Sequence, residues 1–237
     1  MADAGTPGNS WIGRNVPRRE VARFVTGRGR YTDDIAVANV AHIAFLRSPH
    51  AHARIGSIDA NAAKAAPGVV AVVTAKDLAA VCKPWQTRLA PIKSHVSPPQ
   101  FPLASSEACW QGEAVVAVVA ETRAQAEDAR ALIEVEWQAL EAVAGVDEAA
   151  ATDAPRVNTA MANNIGLEHS FAAGDFELGC RGAAAVVEHE FVFARQTGVT
   201  LEARVIVAEF DPRVRQLTIH HSHQVPHQMR DIFAVQL

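Results

Sequence analysis

The sequence predicts an α+β protein in two parts, and two observations point to it. In the first half, short runs of β-branched residues alternate with stretches whose helical ends are marked by capping chemistry, giving strand, helix, strand, helix. In the second half the pattern changes to alternating segments joined by a tight turn, as in a sheet with hairpins. The chain has 237 residues, 49% of them hydrophobic, enough for one large domain or two modest ones with real cores.

Residues 1–10 are small and polar and read as a frayed tail, with structure expected from Trp11. Gly27, Gly29 and Asp33-Asp34 surround Tyr31 in a turn-rich segment. A phosphate cradle would need a third glycine and a preceding strand, so a tight turn is expected here. His42–Arg47 and Arg54–Ile58 read as strands. Asp59 is placed to cap a helix over Ala60–Ala66, which Pro67-Gly68 stops. Val69–Val73 is a strand, and Thr74 with Asp77 forms a capping box for a short helix reaching about Val81.

Prolines at 84, 91, 98, 99 and 102 predict a long surface loop over 82–107 without regular structure. Ala114–Ala120 is a buried-type strand. Thr122 and Gln125 cap a helix running to about Ile133, and Ile133–Trp137 resumes as a strand. Residues 144–182, rich in Ala, Asn, Gly and Asp, are read as an interdomain crossing. Beyond it, Ala184–Ala194 and Arg204–Phe210 alternate as strands, and Asp211-Pro212-Arg213 turns the second into Gln216–His221. A last helix begins at Pro226 and places Met229, Ile232, Phe233 and Leu237 on roughly one face. It ends on apolar residues without a glycine cap, so truncation or a missing partner chain is expected.

A net charge of −4 offers no electrostatic footprint for nucleic acid or an anionic membrane. Cys82, Cys109 and Cys180 are too widely spaced for a zinc site or an iron–sulfur centre, and they suit a reducing, cytoplasmic setting. Arg18-Arg19 is followed by Glu20, Arg23, Arg28 and Arg30 rather than the apolar stretch of a twin-arginine signal. No run approaches the roughly 20 apolar residues that cross a bilayer.

His220, His221, His223 and His227 crowd one stretch, and His221 and His223 share a face in an extended strand. A closed metal site needs about four ligands, and Asp231 downstream is the nearest carboxylate, so satisfied or solvent-facing histidines are the expectation. The same reading, packing with hydrogen bonds, is given to His50 and His52.

Five phrases stand in a fixed order: IGR at 12–14, VTGRGRYTDDI at 25–35, RSPHAHARIGSID at 47–59, GVVAVVTAKDL at 68–78 and GEAVVAVVAETRAQAEDARALIEVEW at 112–137. In this order they resemble the α/β hammerhead domain of the xanthine oxidase, aldehyde oxidase and aerobic carbon monoxide dehydrogenase family. LEARVIVAEFD at 201–211 and LTIHHSHQVPHQMRDIFA at 217–234 resemble, more loosely, the start of that family's first molybdopterin-binding domain. The family's usual proline after Leu201-Glu202 is Ala203 here. With the disordered tail over 1–10 and the crossing over 144–182 read from composition, the resemblance implies a hammerhead domain over 11–143 and the opening of a mixed α/β molybdopterin-binding domain over 183–237.

The resemblance further implies hydroxylation of a carbon centre, or oxidation of carbon monoxide, at molybdenum held by a pterin dithiolene, in the cytosine dinucleotide form. Water supplies the oxygen. Electrons leave through iron–sulfur and flavin carriers, expected on an iron–sulfur small subunit and an FAD medium subunit. Gln224 matches the family glutamine whose amide hydrogen-bonds an oxo ligand of molybdenum. A carboxamide suits that role because it donates N–H without titrating or competing as a metal ligand.

An isolated glutamine at a strand end is ordinarily a surface polar residue. The family's proton-abstracting glutamate lies far downstream, so no catalytic residue is assigned in this chain, and Glu202 is expected to anchor structure by accepting hydrogen bonds. Two readings follow: the N-terminal part of a molybdenum hydroxylase large subunit, inactive alone and either a short subunit completed by another chain or a truncated product of a longer gene, or a non-catalytic binding or assembly module that kept the hammerhead fold.

Overall fold

A computed structural model of the chain describes residues 12–13, 15–87 and 94–237. The expected tail over 1–10, Trp11 and Pro91 of the proline-rich loop lie outside the described residues. The chain forms two compact units interleaved along the sequence: Ala38–Phe193 with Val225–Leu237, and Met1–Val37 with Ala194–Gln224.

The larger unit carries two antiparallel sheets. In one, β5 (Ala114–Ala120) lies between β1 (His42–Arg47) and β3 (Val69–Thr74); in the other, β2 (Ala53–Asp59) lies between β4 (Glu107–Ala108) and β6 (Glu134–Ala139). β5 is central because its unbroken run of valine and alanine has no polar face to offer water. Val115, Val116 and Val118 are fully buried, in one cluster with Ile55 and Ala108 of the second sheet. Helix α4 (Arg123–Ala131) packs on β1 and β5, with Ala126 and Ala129 buried. Its start follows from chemistry: Thr122 Oγ1 accepts the Gln125 amide at 3.3 Å.

Helix α3 (Ala75–Leu78) likewise starts where Asp77 accepts both the backbone N–H and the hydroxyl of Thr74, each at 2.7 Å. The helix expected over Ala60–Ala66 is only one turn, α2 (Asn61–Lys64). Ala60 occupies the capping position, while Asp59 Oδ1 accepts the Asn61 amide at 2.9 Å. Ala66 precedes proline and is therefore disfavoured in helical geometry. Gly68, at φ +75°, then turns the chain as a side-chain-bearing residue rarely does.

Three expectations need correction. The loop over 82–107 is not wholly a surface connection: Trp85 and Gln100 exchange backbone hydrogen bonds at 2.8 and 2.7 Å, Leu103 and Ala104 are buried, and its end forms β4. Prolines leave the intervening amides free to pair, which composition alone does not reveal. Ala184–Ala194 is no strand. Its alternation needs a neighbouring strand to complete a ladder, none among the described residues supplies one, and Phe191, Val192 and Phe193 stand exposed. On the final helix, α7 (Pro226–Gln236), Met229, Ile232 and Phe233 are half-buried as expected, but Leu237 lies past its end and is exposed.

Two short helices, α5 (Val146–Ala150) and α6 (Phe176–Gly182), interrupt residues 144–182. Among the described residues no helix is long and apolar enough to cross a membrane.

The smaller unit pairs β7 (Ile206–Asp211) with β8 (Gln216–His221) in a hairpin whose register runs from Ile206 opposite His221 to Asp211 opposite Gln216. Asp211 Oδ1 takes the Arg213 amide at 2.9 Å, and Arg215, at φ +53°, completes the turn. A helical turn, α1 (Val21–Val25), precedes Gly27, whose φ of +69° fits the expected tight turn. A 3-10 turn over Thr32–Asp34 follows, fixed by Asp34 Oδ2 accepting the Tyr31 amide at 2.8 Å, and it packs against β7.

Candidate functional site

The functional candidate of the sequence lies just past the open end of the β7–β8 hairpin. Ladder pairing stops at His221, and Ser222–Gln224 lie beyond the end of the hairpin. Such an exit wanders unless side chains hold it. One carboxylate does so: Glu202 Oε1 accepts the Ser222 hydroxyl at 2.7 Å, the Thr32 amide at 3.0 Å and the Thr32 hydroxyl at 3.2 Å. Thr32 is buried and Glu202 half-buried. The Ser222 hydroxyl, then the Thr32 amide, hold the Glu202 carboxyl below the usual carboxylate range, so it is ionised and the three bonds are charge-assisted.

Two residues beyond Ser222, Gln224 sits in a bend with its side chain exposed, and its carboxamide makes no hydrogen bond with the described residues. The chemistry of that donor fits an anionic oxygen of a molybdenum–pterin group: two N–H donors, neutral at every working pH, carried on a stretch whose root is tied down. Glu202 thus stands where the sequence reading placed it, as an acceptor of structural hydrogen bonds. Thr32 and Ser222 were not singled out, although both lie inside phrases that carry the family resemblance. What the sequence could not show is that residues 170 and 20 positions from Glu202 converge on one oxygen.

The rings of His221 and His223 stand 5.1 Å apart, and among the described residues no three His, Cys, Asp or Glu side chains converge.

The larger unit contains a second polar cluster. Buried His52 is held at both ring nitrogens, Nδ1 by the Glu141 carbonyl at 2.9 Å and Nε2 by Glu107 Oε1 at 2.6 Å. Glu107 also accepts from Thr159, at its amide (3.2 Å) and its hydroxyl (2.5 Å). Burial alone would raise the Glu107 carboxyl; the hydrogen bonds of His52 and Thr159 together outweigh it and leave it below the usual range. Asn164 knits the same segment, accepting the Val157 amide at 2.8 Å and donating to the carbonyls of Ala149 and Pro155 at 3.0 and 2.9 Å. Nearby, burial and then the Glu107 and Glu113 charges push the Cys109 thiol up to about 12.

Comparison with known proteins supplies the setting. The family model described as aldehyde oxidase and xanthine dehydrogenase, a/b hammerhead domain, matches residues 26–141. The molybdopterin cofactor-binding domain matches residues 157–237. The nicotine 6-hydroxylase large subunit of Paenarthrobacter nicotinovorans is 34% identical over 92% of this chain and 27% of its own length. The carbon monoxide dehydrogenase large chain of Hydrogenophaga pseudoflava is 32% identical over 92% of this chain and 28% of its own. Among solved structures, quinoline 2-oxidoreductase from Pseudomonas putida 86 superposes with a TM-score of 0.85 at 36% identity, covering 95% of this chain and 28% of that one. The copper- and molybdenum-containing carbon monoxide dehydrogenase superposes with a TM-score of 0.75 at 31% identity, over 94% and 29%. The chain therefore spans somewhat more than a quarter of the length of these four relatives.

Proposed function

Because this chain belongs to the aldehyde oxidase and xanthine dehydrogenase family of molybdenum hydroxylases, in its large-subunit, molybdopterin-binding branch, we propose that it supplies a hammerhead scaffold and one hydrogen-bond donor, Gln224, to a molybdenum active site. In this reading residues 11–143 form the hammerhead domain, 144–182 the crossing and 183–237 the opening of the molybdopterin-binding domain. When bound, the pterin-held molybdenum supplies the redox chemistry of hydroxylation or carbon monoxide oxidation. The cofactor is proposed in its cytosine dinucleotide form. An iron–sulfur small subunit, an FAD medium subunit and the remaining molybdopterin-binding polypeptide complete the assembly. None of the residues of this chain is assigned a bond-making role.

The observation that carries the proposal is the exposed Gln224 carboxamide on a strand exit held by the ionised Glu202. A donor fixed before the reaction begins stabilises charge on an oxygen without reorganising, and that is its contribution to rate. Deleting one hydrogen bond to a charged oxygen costs about 1.5–3 kcal/mol. Gln224→Ala in the assembled enzyme is therefore expected to lower kcat about 10- to 100-fold with the molybdenum content unchanged. Gln224→Glu, isosteric but with an acceptor in place of the donor, is expected to be worse. Dye-linked oxidation, with metal content measured on the same samples, makes the comparison. A Gln224→Ala enzyme with unaltered kcat would remove Gln224 from the site.

A further inference from the structure

The roles of Glu202 and Gln224 are connected by the course of the chain. Glu202 lies four residues ahead of β7, and Ser222 one residue after β8, so the antiparallel pairing brings both to the same end of the hairpin. Ser222 is the first residue without a ladder partner, and its hydroxyl bond to Glu202 Oε1 (2.7 Å) is the tie that replaces the ladder. On the same carboxylate oxygen, Thr32 donates twice, and its own hydroxyl lies 3.3 Å from that of Ser222, closing a three-membered polar knot. Glu202 is itself steadied where the Thr200 hydroxyl donates to its carbonyl at 2.6 Å.

Three segments far apart in sequence thus meet at a single ionised oxygen. An arrangement of this kind is stiff, because each bond is charge-assisted and loss of any one partner leaves the others short of geometry. Only His223 separates the knot from Gln224.

We propose that Glu202 is a positioning residue: by seating Ser222 against Thr32 it sets where the Gln224 carboxamide stands, so that the donor is aimed before any cofactor oxygen arrives. The inference rests on the assignment of Gln224 above and extends it. It predicts that Glu202 acts on rate through Gln224, without touching the reacting atoms and without being needed for the hairpin, whose six-residue strands pair through the backbone.

The test has two readouts. In the 237-residue chain, the side-chain amide resonance of Gln224, identified by its loss in Gln224→Ala, reports the position of the carboxamide directly. Amide exchange separates Thr32, whose N–H donates to Glu202, from the hairpin at 206–221. Glu202→Ala is expected to shift or broaden the Gln224 resonance and to speed exchange of the Thr32 amide at least 10-fold, leaving hairpin protection intact. Ser222→Ala, which removes one exposed donor and threatens folding least, is expected to do the same more weakly. Glu202→Gln, keeping an acceptor of the same shape, is expected to restore most of the wild-type spectrum.

In the assembled enzyme, Glu202→Ala is expected to lower kcat about 10-fold at unchanged KM and unchanged molybdenum content, and to add little when Gln224 is already alanine. Two results overturn the proposal: a Gln224 resonance indifferent to both Glu202→Ala and Ser222→Ala, or loss of hairpin protection together with the shift, which would make Glu202 a general fold residue. If instead the resonance shifts as expected while Gln224→Ala leaves kcat unaltered, positioning stands and the catalytic assignment of Gln224 falls, so the two failures are distinguishable.

Discussion

At the scale of single residues, local surroundings move two ionisable groups in opposite directions. Glu202 is ionised and gathers donors, whereas Cys109 is half-buried beside carboxylates and held as a thiol. A thiol pushed up to about 12 has almost no thiolate at neutral pH, and the thiolate is the nucleophile. Iodoacetamide at pH 8 is therefore expected to leave Cys109 unmodified over hours in the folded chain and to modify it within minutes in denaturant, as read by peptide mass spectrometry. Rapid labelling of Cys109 under native conditions would contradict the half-buried, carboxylate-flanked setting. How much of this was legible in sequence differs by residue. Gln224 and Glu202 draw attention in the sequence because they stand in phrases that carry the family resemblance. Thr32 and Ser222 stand in such phrases too, but a hydroxyl becomes informative only when its partner is known, and partners come from tertiary folding.

At the scale of elements, the pieces that sequence predicts best are those whose ends are fixed by local chemistry. Helix α4 begins where Thr122 accepts the Gln125 amide, and Thr122→Ala is expected to cost about 1 kcal/mol, measured as a fall in the chemical denaturation midpoint. Strand β5 was legible from its unbroken apolar run, and Val116→Ala, deleting fully buried methyl groups, is expected to cost about 2 kcal/mol. The misread pieces share a different cause. Ala184–Ala194 has strand periodicity but no strand beside it, while Trp85 and Gln100 pair across a stretch that composition assigns to loop. Pairing is a long-range fact, and period alone cannot supply it.

The Thr159 segment is held by tertiary bonds in the same way, and its dependence on pH follows from Glu107. The folded value of that carboxyl lies below its unfolded one, so its stabilising contribution is present above the usual carboxylate range and is lost as pH falls through the folded value. Protection of the Thr159 amide is expected to fall between about pH 5 and pH 3, before the β5 amides lose theirs. Glu107→Gln is expected to lower that protection and flatten its pH response. A Thr159 amide protected identically at both pH values would show that Glu107 does not hold it.

At the scale of the whole molecule, the matches to a hammerhead domain over 26–141 and to a molybdopterin cofactor-binding domain over 157–237 place this chain in the large-subunit branch of its family, along somewhat more than a quarter of its relatives' length. The fold of that quarter was readable in advance because five phrases occur in order, whereas the crossing of the two compact units along the sequence was not, since nothing local encodes it. In the reading proposed here the chain brings one fixed donor and a scaffold, and the metal is retained by walls that other polypeptide provides. Molybdenum per chain, measured by mass spectrometry on the 237-residue protein purified alone and after coexpression with the remaining molybdopterin-binding polypeptide, tests this most directly. The account predicts no stoichiometric metal in the first sample and close to one atom per chain, with dye-linked turnover, in the second. A solitary chain that binds molybdenum stoichiometrically and turns over substrate would contradict it.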